Sequence, residues 1–94
     1  MGKGEPLRKR FRGDASEKCA LILYNDDVNT FAHVIRSLVE VCGHDEIQAE
    51  QCAVLVHFKG KYEVKSGAPE VLMSMSEKLN KMGLKSEVFK IPVR

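Results

Sequence analysis

From Cys19 to Tyr24 the chain reads Cys-Ala-Leu-Ile-Leu-Tyr, and this apolar run stops at Asn25-Asp26-Asp27. A continuous apolar stretch of strand length, closed by turn-forming residues, predicts a buried strand running into a polar turn. Phe31, Val34, Ile35, Leu38, Val41 and Cys42 then recur at helical spacing. Asn29 or Thr30 can cap that helix, since either side chain accepts from an unpaired N–H of the first turn. Gly43 stops it. His44 or Asp45 begins the next element, and Glu46 suits the positive end of a helix. Ala49, Cys52, Ala53 and Val56 follow at i, i+3, i+4, i+7, which is one helix face, with His57 on its edge. Phe58-Lys59-Gly60-Lys61 reads as a turn and Tyr62–Lys65 as a short alternating strand. Pro69 fits the first turn of a third helix, with Leu72, Met75, Leu79 and Met82 as its apolar stripe and Gly83 as its stop. Glu87–Ile91 closes the pattern as a strand. The order β-α-α-β-α-β predicts an α+β fold, a small three-stranded sheet covered by three helices.

Residues 1–17 carry Gly, Pro and charge but almost nothing to bury. Such a segment cannot offset its own ordering entropy, so a flexible tail is expected at 1–17 and the folded core at 18–94. At 94 residues one domain is expected, with no interior to spare for a cofactor. A net charge of +2 is too small to argue for nucleic acid or a membrane surface. No apolar run approaches the ~20 residues of a spanning helix, and the basic residues near the start are not followed by the apolar stretch of a secretory signal. Cys19, Cys42 and Cys52 are an odd set without CxxC spacing, which fits reduced thiols used as small apolar side chains in the cytoplasm.

Chemistry has few places to reside. Asn25-Asp26-Asp27 is first of all a turn, because Asn and Asp bond their own backbone; two carboxylates and an amide at a strand end could equally receive a cation or an ammonium group. His57 at a helix end is either a cap on the last carbonyls or a ligand-binding imidazole held by packed neighbours. Cys42 with His44, and Cys52 with His57, do not match zinc-ligand spacings, and no metal is expected. No nucleophile motif, P-loop or GxGxxG is present. The residues alone therefore describe a small α+β binding module, polar on one lip and apolar behind.

Tyr24-Asn25-Asp26-Asp27-Val28-Asn29-Thr30-Phe31, a helix, and then Ala53-Val54-Leu55-Val56-His57-Phe58-Lys59-Gly60 together resemble the ClpS family, adaptors that deliver N-degron substrates to Clp ATPase–proteases. The likeness spans roughly Cys19 to Ile91. It implies a non-enzymatic protein, monomeric and without cofactor, membrane or nucleic-acid partner. Asn25, Asp26 and His57 correspond to the residues that recognise a substrate's free α-amine and first peptide unit. An apolar pocket for a first residue Leu, Phe, Tyr or Trp would involve Val34 and Val56, with Asp27 and Asn29 near the rim. Phe31 and Ala53 stand at positions usually occupied by Met, and Lys85-Ser86 where a Leu is usual. The second partner would be the N-terminal domain of a Clp ATPase of the ClpA or ClpC type, met near the polar turn and the start of the third helix; Glu70 matches one contact, and Val28 replaces a position often aromatic. A rival reading is a ribosome- or nucleic-acid-associated module using the basic residues Arg8, Lys9, Arg10 and Arg12. A thiol enzyme using Cys42 or Cys52 is more distant.

Overall fold

The central strand β1 (Cys19–Tyr24) explains why that segment is apolar without alternation. It lies between β2 (Lys61–Gly67) and β3 (Lys85–Lys90), antiparallel to both, in a sheet ordered β2-β1-β3. Successive side chains of a strand point to opposite faces. On one face Cys19, Leu21 and Leu23 join the main core; on the other Ala20 and Ile22 cluster with Phe89. Both faces of the middle strand are buried, so neither half of the alternation is polar. These are features of a computed structural model that describes residues 18–91. The tail expected at 1–17, with its basic cluster, lies outside the described residues, as do 92–94.

Three helices, α1 (Phe31–Cys42), α2 (Glu46–Lys59) and α3 (Pro69–Lys81), complete the order β1-α1-α2-β2-α3-β3. This is the expected three-helix, three-strand α+β fold. Leu38, Leu72 and Leu79 are fully buried between helices and sheet; each such side chain is worth about 1.5–3 kcal/mol of apolar transfer. The helix ends follow from local chemistry. Thr30 accepts from the His33 N–H at 3.1 Å and Asp45 from the Gln48 N–H at 2.7 Å, which satisfies first-turn donors of α1 and α2. Gly43 ends α1 in the left-handed conformation that costs a side-chain-bearing residue most.

Three departures from the sequence pattern have physical causes. The turn expected at 58–61 is shorter, because Phe58 and Lys59 continue α2 and only Gly60, at φ 85°, breaks it. β2 and β3 extend further, to Gly67 and back to Lys85, since pairing with β1 rather than residue alternation sets their length. On α3 the inward positions are Pro69, Leu72, Ser76 and Leu79, while Met75 is half-buried and Met82 is the C-cap. A serine can face inward there because Ser76 Oγ lies 2.7 Å from Ser86 Oγ, and Ser86 Oγ donates to Asn80 Oδ1 at 3.0 Å. A buried hydroxyl with partners is tolerated, and a count of apolar positions misses it.

β2 also carries a bulge. Leu21 pairs with Lys65 and Ile22 with Glu63, leaving Val64 as the extra residue. Such a residue drops out of the ladder. Its carbonyl accepts instead from His44 Nε2 at 2.7 Å, so that nitrogen carries the proton. The buried imidazole thereby ties the start of α2 to β2, while its Nδ1 has no hydrogen-bond partner among the described residues.

Candidate functional site

The polar turn after β1 and the end of α2 are brought together by one backbone bond. Gly60 reverses the chain after α2, its N–H donating to Val56 O, and its carbonyl accepts from the Asn25 N–H at 2.9 Å. This fastens Asn25 beside the last turn of α2, where His57 sits. The turn itself is built by Asp26. Its Oδ1 accepts from the N–H groups of Val28 and Asn29, both at 2.8 Å, and its Oδ2 from Asn29 Nδ2 at 2.9 Å. The Asn29 N–H foremost holds this carboxyl below the usual aspartate range; the Asn29 amide, the Val28 N–H and the Lys85 charge add to the effect, and partial burial opposes it. The turn reading of Asp26 is therefore correct, but three of its roughly four acceptor sites are used and one remains.

A second suture closes the other side. Asn29 Nδ2 also donates to Gly83 O at 2.9 Å, and His33 Nε2 lies 2.8 Å from Met82 O, which makes it the donor. Together they draw the α3–β3 turn against the start of α1 and set Leu84 in position.

Between these elements lies a cleft of about 310 Å³. Asn25, Asp26, Asp27, Asn29, Phe31, Val34, Ala53, Val56 and His57 all line it, so every residue singled out for amine or side-chain contact converges on one hollow. Its volume is near the lower end of the ~300–1,000 Å³ usual for small-ligand sites, suited to one side chain. Val56 and Ala53 are buried in the wall, whereas Phe31 is 48% exposed. His57 does not cap the helix. Its ring packs edgewise on Phe31 at 5.4 Å and 62°, and on Phe58 at 5.5 Å and 71°. Neither its nitrogens nor the Asn25 side-chain amide has a hydrogen-bond partner among the described residues, so both remain available to a ligand.

Residues 14–90 match the family model of the ATP-dependent Clp protease adaptor protein ClpS. The chain belongs to the ClpS family. It is accordingly a non-catalytic adaptor of the Clp protease system. The fold is similar to that of Agrobacterium tumefaciens ClpS2, in a structure of that protein bound to L-phenylalaninamide. The TM-score is 0.76 at 16% identity, covering 79% of this chain and 96% of that one. Among curated protein sequences no relative matches.

Membership in ClpS sharpens the reading of several residues. Leu84 lines the cleft, whereas Ser86 is buried outside it, bonded to Ser76 and Asn80. Leu84, two residues before Ser86, is the leucine that the turn between α3 and β3 brings to the cleft. Leu23, Tyr24 and Thr30 also line the cleft, though the sequence marked them only as strand and cap. Tyr24 donates its hydroxyl to Glu87 Oε1 at 2.8 Å; burial first, then that hydrogen bond and the Glu87 charge, push the phenol up to about 12.

The two residues considered for the Clp ATPase are not brought together. Val28 is 87% exposed beside the polar turn, on the side of the α3–β3 turn, while Glu70 is exposed in the first turn of α3. The length of α3, about 20 Å at 1.5 Å per residue, separates those ends. A partner touching both would have to span that helix. The cysteines lie elsewhere: none lines the cleft, and burial pushes the Cys42 thiol up to about 11 and raises that of Cys52. Thiols buried and raised in this way hold little of the reactive thiolate at neutral pH. Among the described residues no group of three or more His, Cys, Asp or Glu could hold a metal ion, and no helix is long and apolar enough to cross a membrane.

Proposed function

We propose that this chain is an N-degron adaptor of the cytoplasm. It binds the free α-amine and the bulky hydrophobic first side chain of a protein, Leu, Phe, Tyr or Trp, and hands that protein to the N-terminal domain of a Clp ATPase of the ClpA or ClpC type. The observation that carries this reading is the pairing of unsatisfied acceptors with an apolar hollow in one 310 Å³ cleft. An α-ammonium group offers donors in several directions. Asn25 Oδ1 and a His57 ring nitrogen each accept one, and Asp26 supplies the opposite charge with its remaining lone pair. Asp27 and Asn29 stand at the polar rim. Behind them Phe31, Val34, Ala53, Val56 and Leu84 line the space for the side chain. The ligand of the Agrobacterium relative, phenylalaninamide, combines an α-amine, an aromatic side chain and an amide, which is the same set of groups. Glu70 and Val28 would meet the ATPase as separate patches on a monomeric adaptor.

Magnitudes agree with a hand-off. Charge-assisted hydrogen bonds contribute about 1.5–3 kcal/mol each, and burying a Leu or Phe side chain about 1.5–3 kcal/mol. Association and ordering cost several kcal/mol in return. The remainder is a modest net affinity, suited to transient capture rather than a permanent complex. Calorimetric titration with peptides beginning Leu, Phe, Met, Val and acetyl-Phe tests the reading. Leu and Phe peptides are expected to bind and acetyl-Phe to fail, because acetylation removes the charge and most donors. Equal affinity for free and acetylated Phe peptides would rule it out.

A further inference from the structure

We propose that Phe58 is a positioning residue for His57, forming with Phe31 an aromatic bracket that fixes the imidazole facing the cleft. Three histidines lie among the described residues. His33 and His44 are each oriented by a nitrogen bonded to a carbonyl, of Met82 and Val64. His57 has no such bond, although it lines the cleft and its nitrogens are the atoms a ligand needs. What it has instead is edgewise contact with two rings, Phe31 at 5.4 Å and Phe58 at 5.5 Å, inclined at 62° and 71°. Steep inclination at that separation brings the positive edge of one ring to the negative face of its neighbour, the arrangement aromatic pairs favour. Orientation by rings leaves both nitrogens unoccupied, whereas a hydrogen bond would spend one of them. An exposed imidazole held in this way has surrendered its rotational freedom before the ligand arrives, so less is lost on binding.

Phe58 is otherwise unexplained. It is 79% exposed, does not line the cleft and belongs to neither core cluster. A large aromatic side chain so placed contributes little to folding, and its contact with His57 gives it a role. Phe31 belongs to the cleft wall as well, so only Phe58 isolates the bracket from the pocket.

This inference rests on the adaptor reading for its binding readout; the ring contact can be measured without ligand. The experiment compares wild-type protein, Phe58→Ala, Phe58→Tyr, His57→Ala and the Phe58→Ala/His57→Ala double variant. It records thermal melts, imidazole ring-proton shifts of His57 in the ligand-free protein, and affinity for a Phe-initiated peptide. Phe58→Ala is expected to leave the melt unchanged, shift the His57 ring signals, and weaken the peptide about three- to tenfold, the worth of one aromatic pair. Phe58→Tyr should restore affinity, and Phe58→Ala should have no further effect once His57 is alanine. Unmoved ring signals, unaltered affinity, or an equal loss in the His57→Ala background would overturn the inference, the last by showing that Phe58 meets the peptide directly. Failure of this inference leaves wild-type binding intact, whereas failure of the adaptor reading removes binding from the wild-type protein itself.

Discussion

His44 and His57 flank the two ends of α2 and differ in almost every respect. His44 is 6% exposed, donates from Nε2 to the bulge carbonyl of Val64, and lines no part of the cleft. His57 is exposed, holds no carbonyl, and faces the hollow beneath the polar turn. The same side chain is thus committed to the fold at one end of the helix and left open to a ligand at the other. The turn shows the same division: the Asn25 side-chain amide has no partner among the described residues, whereas Asp26 is mostly consumed in holding its own backbone. Removing the polar groups that folding uses and those it leaves unspent should therefore have separable effects.

The largest expected difference is in binding. His57→Ala and Asn25→Ala should each weaken a Phe-initiated peptide by about 1–3 kcal/mol, roughly five- to 150-fold, with an unchanged thermal melt. Calorimetry beside a melting curve reads both. His44→Ala should do the opposite. It leaves the Val64 carbonyl without its donor, costing about 1–3 kcal/mol of stability, several degrees in Tm for a domain of this size, with peptide affinity of the folded protein retained. A His44 variant that melts normally and binds poorly would break the comparison.

Asp26 lies between these extremes, so Asp26→Ala should lose about 0.5–2 kcal/mol of stability, as loss of a cap does, together with peptide affinity. Its pH dependence has a definite sign. A carboxyl whose folded pKa is lowered stabilises the fold above the ordinary unfolded value, near ~3.9, and that contribution is lost as pH falls through the lower folded value. Acid unfolding of Asp26→Asn should lack this component. Two smaller effects probe groups outside the amine contact. The Tyr24 phenol should ionise near 12, visible as delayed phenolate absorbance, and its stabilising contribution should persist below the ordinary tyrosine value and fade as pH rises to about 12. Native Cys42, held near 11 by burial, should resist iodoacetamide at neutral pH until the chain unfolds.

What could be read in advance follows the same division. β1 and α1 were legible because their signals are local: an uninterrupted apolar run, a helical stripe, Thr30 and Gly43 at the ends. The residues of the cleft were legible because Asn25–Asn29 and Ala53–His57 form two recognisable blocks, although only the Asn25–Gly60 bond shows how they meet. The bulge at Val64, the inward Ser76 and the placement of Leu84 were not, since each depends on a partner far along the chain. Val64 meets His44 twenty residues earlier, Ser76 meets Ser86 ten residues later, and the turn before Leu84 is held by Asn29. Local spacing carries no trace of such partners.

The most direct measurement is a structure of this chain with a short Phe-initiated peptide. The expected result places the α-amine within hydrogen-bond reach of Asn25, Asp26 and His57, with the phenyl ring among Val34, Ala53, Val56 and Leu84. A peptide seated elsewhere, or one with its amine turned to solvent, would contradict the claim that this cleft reads the first residue of a protein.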